Sequence, residues 1–376
     1  MISAFFVFVL LFILTYFYNS FSLNALVLKL DTDHVIEQPL ALIFSLALAP
    51  YITTLILYYL LWLFPFQSAL LYVFIVIICF TVILVLSKSK VTTIRRFILS
   101  KFNFFDTNNK GAALILDNKF FKIYTNERIV LFTNLIPLSI LLVVAFFWLK
   151  QIIGTPISGH DMLEYAIQAK HFAREKLIAY IPNRYHAENN FFYVGLHGFS
   201  FPLIGTWEYL FSEIFGIYDN DYLLRSVTGY YGILILVLIY HFIKKYSRFY
   251  ALSAITLLFS SYGFYLMVTD YHIDTYRIFM ILAAFAGLGL AIKHPSNITL
   301  ILFGVFAAAQ AYIHSLGVFI AIFLSLSFFI FYPGRLSQKA LQSLVLFLII
   351  MLFGGIHYVM DVFFGTGWIF QEIKYY

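Results

Sequence analysis

Acidic, imidazole and guanidinium side chains are concentrated in two short segments. The first covers residues 158–164 (SGHDMLE), and the second, residues 269–277, holds two aspartates, a histidine and an arginine. Carboxylates beside imidazole suit a proton relay or a hard divalent cation, and a guanidinium binds phosphate through two hydrogen bonds. The alternative for the second segment is a local ion pair between Arg277 and Asp270 or Asp274. These residue types therefore predict either chemistry on a phosphate-bearing substrate or a structural ion pair.

The first segment lies at the start of a predicted helix. Ser158 fits its N-cap, and apolar residues then recur with a period near 3.6, namely Met162, Leu163, Ala166, Ala169, Ala173 and Leu177. Asp161 and Glu164 are three residues apart, so they share a face of the first turn. Acids there also stabilise a helix electrostatically, which is the alternative for Glu164. Asp161 is the stronger candidate for a general base or metal ligand, because its segment follows a membrane exit where head groups lie.

Two histidines extend the set of candidate binding residues. His197 lies in a Gly-Leu-His-Gly sequence, and His314 lies in a minimal connection between two apolar runs. A structural turn histidine is the alternative for His197. His314 is favoured as a site residue by His357 and Asp361, which end another apolar run on the same predicted side. The alternative is a histidine that only satisfies the local backbone.

Membrane helices must position these residues. Hydrophobic residues make up 62% of the 376 residues and charged residues 11%, whereas soluble domains carry about 25% charged residues. Apolar runs long enough to cross about 30 Å of hydrocarbon recur along the chain. The predicted spans cover about residues 3–18, 40–64, 67–86, 130–149, 226–243, 250–268, 278–292, 298–313, 317–331 and 340–358. The predicted fold class is all-α, a polytopic membrane helix bundle of about ten transmembrane helices.

The distribution of charge orients these spans. Residues 87–128 carry nine Lys and Arg against three acids, and basic residues close to helix ends mark cytoplasmic loops. Counting onward, the later loops on that side contain no acid, whereas the loops on the other side hold the acids of both candidate segments. The candidate site is thus predicted on the non-cytoplasmic face. The first three spans stay ambiguous, because the loop of residues 29–37 has one basic residue, Lys29, beside three acids.

This topology divides the chain into three regions. Residues 1–86 form an N-terminal three-helix membrane segment, residues 87–128 a basic cytoplasmic loop, and residues 129–376 a membrane module with an external loop at 150–225. The first span has neither a basic start nor a cleavage site, so we expect it to be retained. The external loop is far longer than a connection needs. It is predicted to carry two interfacial amphipathic helices, the second with Trp207 and Tyr209 at the head groups.

Several kinds of chemistry are not indicated by the sequence. The single cysteine, Cys79, excludes a disulfide framework. The net charge of +6 arises from a few loops without an aromatic-interleaved basic patch, so we expect no nucleic-acid partner. P-loop, HExxH, GxSxG and dinucleotide-binding motifs are missing, and no nucleotide site is seen. A substrate that is already activated in the membrane fits this pattern better than a nucleotide-driven pump.

The second part of the chain has a recognisable order of features. One crossing is followed by a long external loop that opens on an acidic motif at 161–166 (DMLEYA), then by a proline-containing segment at 198–203 (GFSFPL) and a run of membrane helices. This order resembles the GT-C superfamily of polyprenyl-phosphate-sugar-dependent glycosyltransferases, especially the protein O-mannosyltransferases and the bacterial aminoarabinose transferase. The resemblance covers about residues 129–376. It departs from the family in that the two acids are not adjacent.

The resemblance implies a function and a set of roles. A sugar would pass from a polyprenyl-phosphate donor to a lipid, glycan or protein acceptor, on the non-cytoplasmic face of a plasma or inner membrane. The implied catalytic residues are Asp161 and Glu164, the implied ligands of a divalent Mg²⁺ or Mn²⁺ ion are Asp161, Asp270 and Asp274, and the implied donor-phosphate or substrate-binding residues are Arg277, His272, His314 and His197.

Two other classes of membrane protein stay open. A lipid or sugar transporter or flippase predicts ionisable residues within discontinuous helices. An enzyme of the O-antigen polymerase or ligase type would also use external loops. A non-catalytic assembly factor is a further alternative.

Overall fold

The computed structural model shows an all-helical chain. It describes residues 10, 12–31, 35–87, 127–154, 157, 160–178, 198–217, 224–314, 316–356 and 358–359, and no strand lies among them. For residues 12, 13, 127–135, 152–154, 160 and 161 only the backbone is described. Predictions that concern Ser158, His197, His357, Asp361 or most of the basic loop lie outside the described residues.

Thirteen α-helices lie in this part of the chain. They are α1 (Asn19–Leu30), α2 (Gln38–Leu63), α3 (Ala69–Leu86), α4 (Glu127–Gly154), α5 (His160–Glu175), α6 (Ser200–Ile214), α7 (Arg225–Ile243), α8 (Arg248–Ser260), α9 (Tyr262–Thr269), α10 (Ile273–Lys293), α11 (Asn297–Ile313), α12 (Gly317–Phe331) and α13 (Leu336–Ile350). Two π-helical segments, Phe12–Tyr18 and Met351–Gly355, extend α1 at its start and α13 at its end.

The helices make the chain a membrane protein. Among the described residues, α2, α3, α7, α10 and the extended α13 are long and apolar enough to cross a membrane, and α8 with α9 gives a sixth candidate. α11, α12 and the Ile136–Gln151 part of α4 are shorter apolar helices. The prediction of an all-α membrane helix bundle is therefore confirmed, whereas the total of about ten spans is not.

The predicted span at 250–268 is broken into two helices. The axes of α8 and α9 differ by 70° across Ser261. Ser261 has an extended backbone, and its hydroxyl accepts the N–H of Phe264 at 3.3 Å, so it acts as the N-cap of a new helix. The carbonyl of Val268, near the end of α9, accepts the hydroxyl of Thr228 in α7 at 3.1 Å. The break therefore directs α9 onto α7.

The first helix continues beyond the predicted end at residue 18. The chain is helical from Phe12 to Leu30, and Asn19, Ser20, Ser22 and Asn24 are buried. Asn19 donates to Thr53 of α2 at 3.3 Å, and the serine hydroxyls donate to carbonyls one turn earlier. The hydropathy pattern places the end of the span too early, because the side chains of Asn19, Ser20 and Ser22 form hydrogen bonds inside the bundle instead of facing water.

Hydrogen bonds join the N-terminal helices to both ends of the bundle. Lys29 Nζ donates to the carbonyl of Leu86 at 2.6 Å, at the point where the basic loop leaves α3. At the opposite end the N–H of Phe66 donates to the carbonyl of Lys176 at 2.9 Å, just after α5. The turn between α2 and α3 therefore lies at the end of the bundle that carries the external loop.

α5 is a helix, as predicted, and it packs on α6. Its buried residues include Tyr165, Ala166, Ala169, Phe172 and Ala173, whereas Leu163 is exposed. The buried stripe is thus rotated slightly from the predicted one toward the aromatic residues.

α6 lies inside the bundle, with every residue from Ser200 to Ser212 buried. It packs against α2, α3 and α5. Trp207 donates its indole N–H to the hydroxyl of Thr15 at 2.7 Å, and Tyr209 is 7% exposed. The prediction that both face the head groups is wrong, because neighbouring helices cover α6 on all sides.

Candidate functional site

The turn between α9 and α10 carries the second candidate segment. The N–H of His272 donates to the carbonyl of Asp270 at 2.8 Å, and the hydroxyl of Thr275 donates to the carbonyl of Met267 at 2.6 Å. These two hydrogen bonds hold the connection between α9 and α10 in a compact turn. The acidic and imidazole side chains of the segment therefore all project from one hydrogen-bonded turn.

His272 is both the N-cap of α10 and the partner of Asp274. Its Nδ1 lies 3.3 Å from the N–H of Asp274 and 3.2 Å from Oδ2 of the same residue. A neutral Nδ1 accepts the N–H, whereas a protonated Nδ1 donates to the carboxylate. The geometry around Nδ1 is therefore compatible with either protonation state of His272.

Asp270 faces a buried arginine that sequence reasoning missed. Arg225 begins α7 with a side chain 1% exposed, and its Nη2 lies 3.9 Å from Oδ1 of Asp270. Its Nη1 donates to the carbonyl of Gln151 in α4 at 3.2 Å. Burial raises the pKa of Asp270, while Arg225 and His272 oppose the shift. A basic residue at the start of a helix on the predicted external side runs against the charge rule, and this signal could have identified Arg225.

The pairings differ from the local ion pair that the sequence offered as the alternative. Asp270 faces Arg225, and Asp274 faces His272. Among the ion pairs of the described residues, none joins Arg277 to either aspartate. Arg277 is half-buried, and it interacts electrostatically with Asp274 and His314.

His314 follows α11 at the same end of the bundle. Its Nδ1 accepts the N–H of Leu316 at 3.0 Å, so the proton of the neutral ring lies on Nε2. Burial lowers the pKa of His314 to about 4; the positive charge of Arg277 adds to this effect, and Asp274 opposes it. A neutral imidazole donor and a guanidinium together can bind the oxygens of a phosphate.

The first candidate segment reaches the same region through α5. The ring of Tyr165 meets the ring of His272 edge to face, with centroids 6.3 Å apart, and it also contacts Phe201 of α6 at 5.2 Å. Glu164 is half-buried. Asp161 lies in the first turn of α5, but its side chain is outside the described set. The structure thus brings the start of α5 to the turn that precedes α10.

Gly198 ties the end of the external loop to α11. Its N–H donates to the carbonyl of Ile313 at 2.9 Å, directly before His314. A Cβ at this position would overlap the carbonyl oxygen of Tyr312, so only glycine allows the approach. The preceding residue, His197, lies outside the described residues.

Buried hydroxyls link the helices next to this region. The hydroxyl of Ser200 lies 2.7 Å from that of Tyr276 and 3.3 Å from that of Thr54. Phe201 stacks on Tyr271 with centroids 4.6 Å apart. α2, α6 and α10 are therefore held together where the candidate side chains emerge.

The implied metal site can be examined for two of its three carboxylates. Asp270 and Asp274 already interact with Arg225 and His272, and no group of three His, Cys, Asp or Glu in the described part of the chain is arranged around one point. The roles of Asp270 and Asp274 as ligands of a divalent ion stay predictions. The role of Asp161 as a ligand stays a prediction.

Comparisons of the chain with protein-family models, with characterised proteins and with solved structures find no match.

Proposed function

We propose that this chain is a membrane glycosyltransferase that moves a sugar from a polyprenyl-phosphate carrier to an acceptor hydroxyl. The observation that carries the proposal is the meeting of α5, the turn before α10 and the end of α11. Tyr165 of the first segment contacts His272 of the second, and His314 interacts with Asp274 and Arg277. Residues that are far apart in sequence and chemically suited to a phosphate sugar thus share one end of a membrane helix bundle.

The donor phosphate would bind at the cationic part of this cluster. Arg277 offers two parallel N–H donors, and the neutral His314 offers its Nε2–H. Neither group needs to lose a proton to bind phosphate. Because His314 is buried beside Arg277, it stays neutral at pH 7 and adds a donor without adding charge.

Asp161 is the proposed base. It would take the proton of the acceptor hydroxyl while the acceptor oxygen attacks the anomeric carbon of the sugar. The bond from that carbon to the phosphate oxygen would break, and the electron pair would leave with the polyprenyl phosphate, whose charge Arg277 stabilises. Glu164 would support Asp161 from the same turn of α5.

A lipid or sugar transporter is the second candidate, and two observations favour it. α8 and α9 form a helix pair broken by 70°, and Glu208 is a buried ionisable residue within α6. Discontinuous helices and buried ionisable residues are typical of transporters. The two candidates differ in whether a glycosidic bond is formed.

The test uses membranes that contain the full chain and a radiolabelled polyprenyl-phosphate sugar. Transfer of label to an acceptor is expected for the wild type, with a loss of about 100-fold for Arg277→Gln and for Asp161→Asn. The matched control is Arg248→Gln, an exposed residue at the start of α8. Transfer that is unchanged in both site variants would contradict the proposal. Movement of the intact labelled lipid across the bilayer without transfer would support the transporter instead.

A further inference from the structure

A carboxyl group that the proposed reaction does not use is buried inside the bundle. Glu208 lies in the middle of α6 and is 1% exposed. Its Oε1 accepts the hydroxyl of Tyr16 at 3.1 Å and the hydroxyl of Ser226 at 3.3 Å. Its Oε2 is also buried and has no hydrogen-bond partner among the described residues.

The described surroundings of Glu208 offer no positive charge to balance a carboxylate. Lys176 pairs with Glu213, one turn further along α6. Arg225, the neighbour of Ser226 in the chain, bonds to Gln151 and faces Asp270 instead. Within the described part of the chain, no lysine, arginine or histidine forms an ion pair with Glu208. An uncompensated buried charge is far costlier than a neutral acid.

The titratable groups that interact with Glu208 are phenols. Tyr16 donates to it, and Tyr271 lies close enough to interact with it electrostatically. A phenol is neutral near pH 7 and supplies a hydrogen bond rather than a positive charge. The neutral form is therefore favoured by burial without a positive partner, and not by these hydrogen bonds.

The hydrogen-bond pattern then places the proton of the neutral acid. When Glu208 is neutral, the oxygen that accepts two hydroxyl donors, Oε1, is the carbonyl oxygen, so the hydrogen is on Oε2. We propose that Glu208 is a proton-binding site, with the proton on Oε2, and that the proton leaves only when a rearrangement brings water or a cation to that oxygen. The site is independent of the proposed sugar transfer.

Burial also raises the pKa of the Glu208 carboxyl well above its ordinary value, although the bonds from Tyr16 and Ser226 oppose this shift. A raised pKa agrees with the assignment of a proton to Glu208 from its surroundings. An exposed glutamate would be ionised at pH 7.

Infrared spectroscopy of the purified full chain at pH 7 tests the assignment. The carbonyl stretching band of a protonated carboxylic acid is expected in the wild type and absent in Glu208→Gln, which keeps the shape and the acceptor oxygen. Glu213→Gln is the matched control, because Glu213 lies on the same helix but is paired with Lys176, and it should keep the band. A spectrum of Glu208→Gln identical to that of the wild type would overturn the proposal.

A second measurement needs only the wild type and covers the case of a variant that does not fold. A hydrophobic carbodiimide reacts with protonated carboxyls, so mass spectrometry is expected to find the adduct on Glu208 at pH 7. A thermal midpoint that rises with sodium chloride but not with choline chloride would also overturn it, since the site would then hold a sodium ion on an ionised carboxylate.

Discussion

Lys245 Nζ lies 2.9 Å from Oε1 of Glu37, and this ion pair joins the loop after α7 to the start of α2. His241 lies on the same carboxylate, with Nε2 3.4 Å from Oε2. The hydrogen bond from Lys245 lowers the pKa of Glu37. Since the loop after α7 belongs to the basic face, the start of α2 lies on that face as well. The orientation of the N-terminal helices, which charge counting left open, follows from this contact.

The first prediction concerns this orientation. In a Cys79→Ser background, Gln67→Cys is expected to react with a membrane-impermeant maleimide added from the non-cytoplasmic side, whereas Lys245→Cys is expected to react only after permeabilisation. Both positions are exposed, at opposite ends of the bundle. Labelling of both cysteines from the same side would contradict the topology.

The second prediction concerns the approach of Gly198 to α11. Gly198→Ala is expected to destabilise the protein by about 1–3 kcal/mol, because the added methyl group overlaps a backbone carbonyl that cannot move alone. Thermal denaturation in detergent measures the effect. Gly263→Ala is the control, since a Cβ there meets nothing within 4 Å. Equal midpoints for the two variants would show that the approach is looser than described.

The third prediction concerns the stability of the protein in acid. The folded-state pKa of His314 is about 4, below the ordinary value of about 6.5. The unfolded chain therefore binds a proton between pH 6.5 and 4 that the folded chain does not, so stability falls as the pH falls through this window. At pH 4 this effect of His314 lowers the free energy of unfolding by about 3 kcal/mol relative to neutral pH.

His314→Asn is expected to lessen this fall, because its carbonyl oxygen can accept the N–H of Leu316 without titrating. Thermal midpoints between pH 4 and 7 measure the difference. His294→Asn changes an exposed histidine at the opposite end of the bundle and should keep the wild-type profile. The same pH dependence in all three proteins would argue against a buried neutral His314.

The fourth prediction concerns the tie between α4, α7 and the site. Arg225→Met is expected to destabilise the fold by roughly 3 kcal/mol, because it leaves the carbonyl of Gln151 and the carboxylate of Asp270 without their cationic partner. Chemical denaturation of the purified protein measures the loss. Arg248→Met, at an exposed position, should change little. Near wild-type stability of Arg225→Met would show that the contact is incidental.

Much of the fold could be predicted from the sequence, because the bilayer imposes one strong rule. An apolar run of sufficient length must form a helix to satisfy its backbone, and α2, α3, α7 and α10 follow that rule. The predictions failed where polar residues bond inside the protein. Asn19 and Ser22 extend the first helix because they find partners there, and Ser261 divides one span in two because its hydroxyl caps a new helix.

For the candidate site, too, some features could be predicted from the sequence and others only from the structure. The sequence by itself determined the residue types, the single face on which they collect and the helical start of α5, since all three follow from local spacing and charge. Only the tertiary structure decided which groups meet. It paired Asp270 with Arg225, set Tyr165 against His272 and buried Glu208 beside Tyr16. The physical reason is that long-range packing, which no local pattern encodes, determines which polar groups are removed from water and which partners then satisfy them.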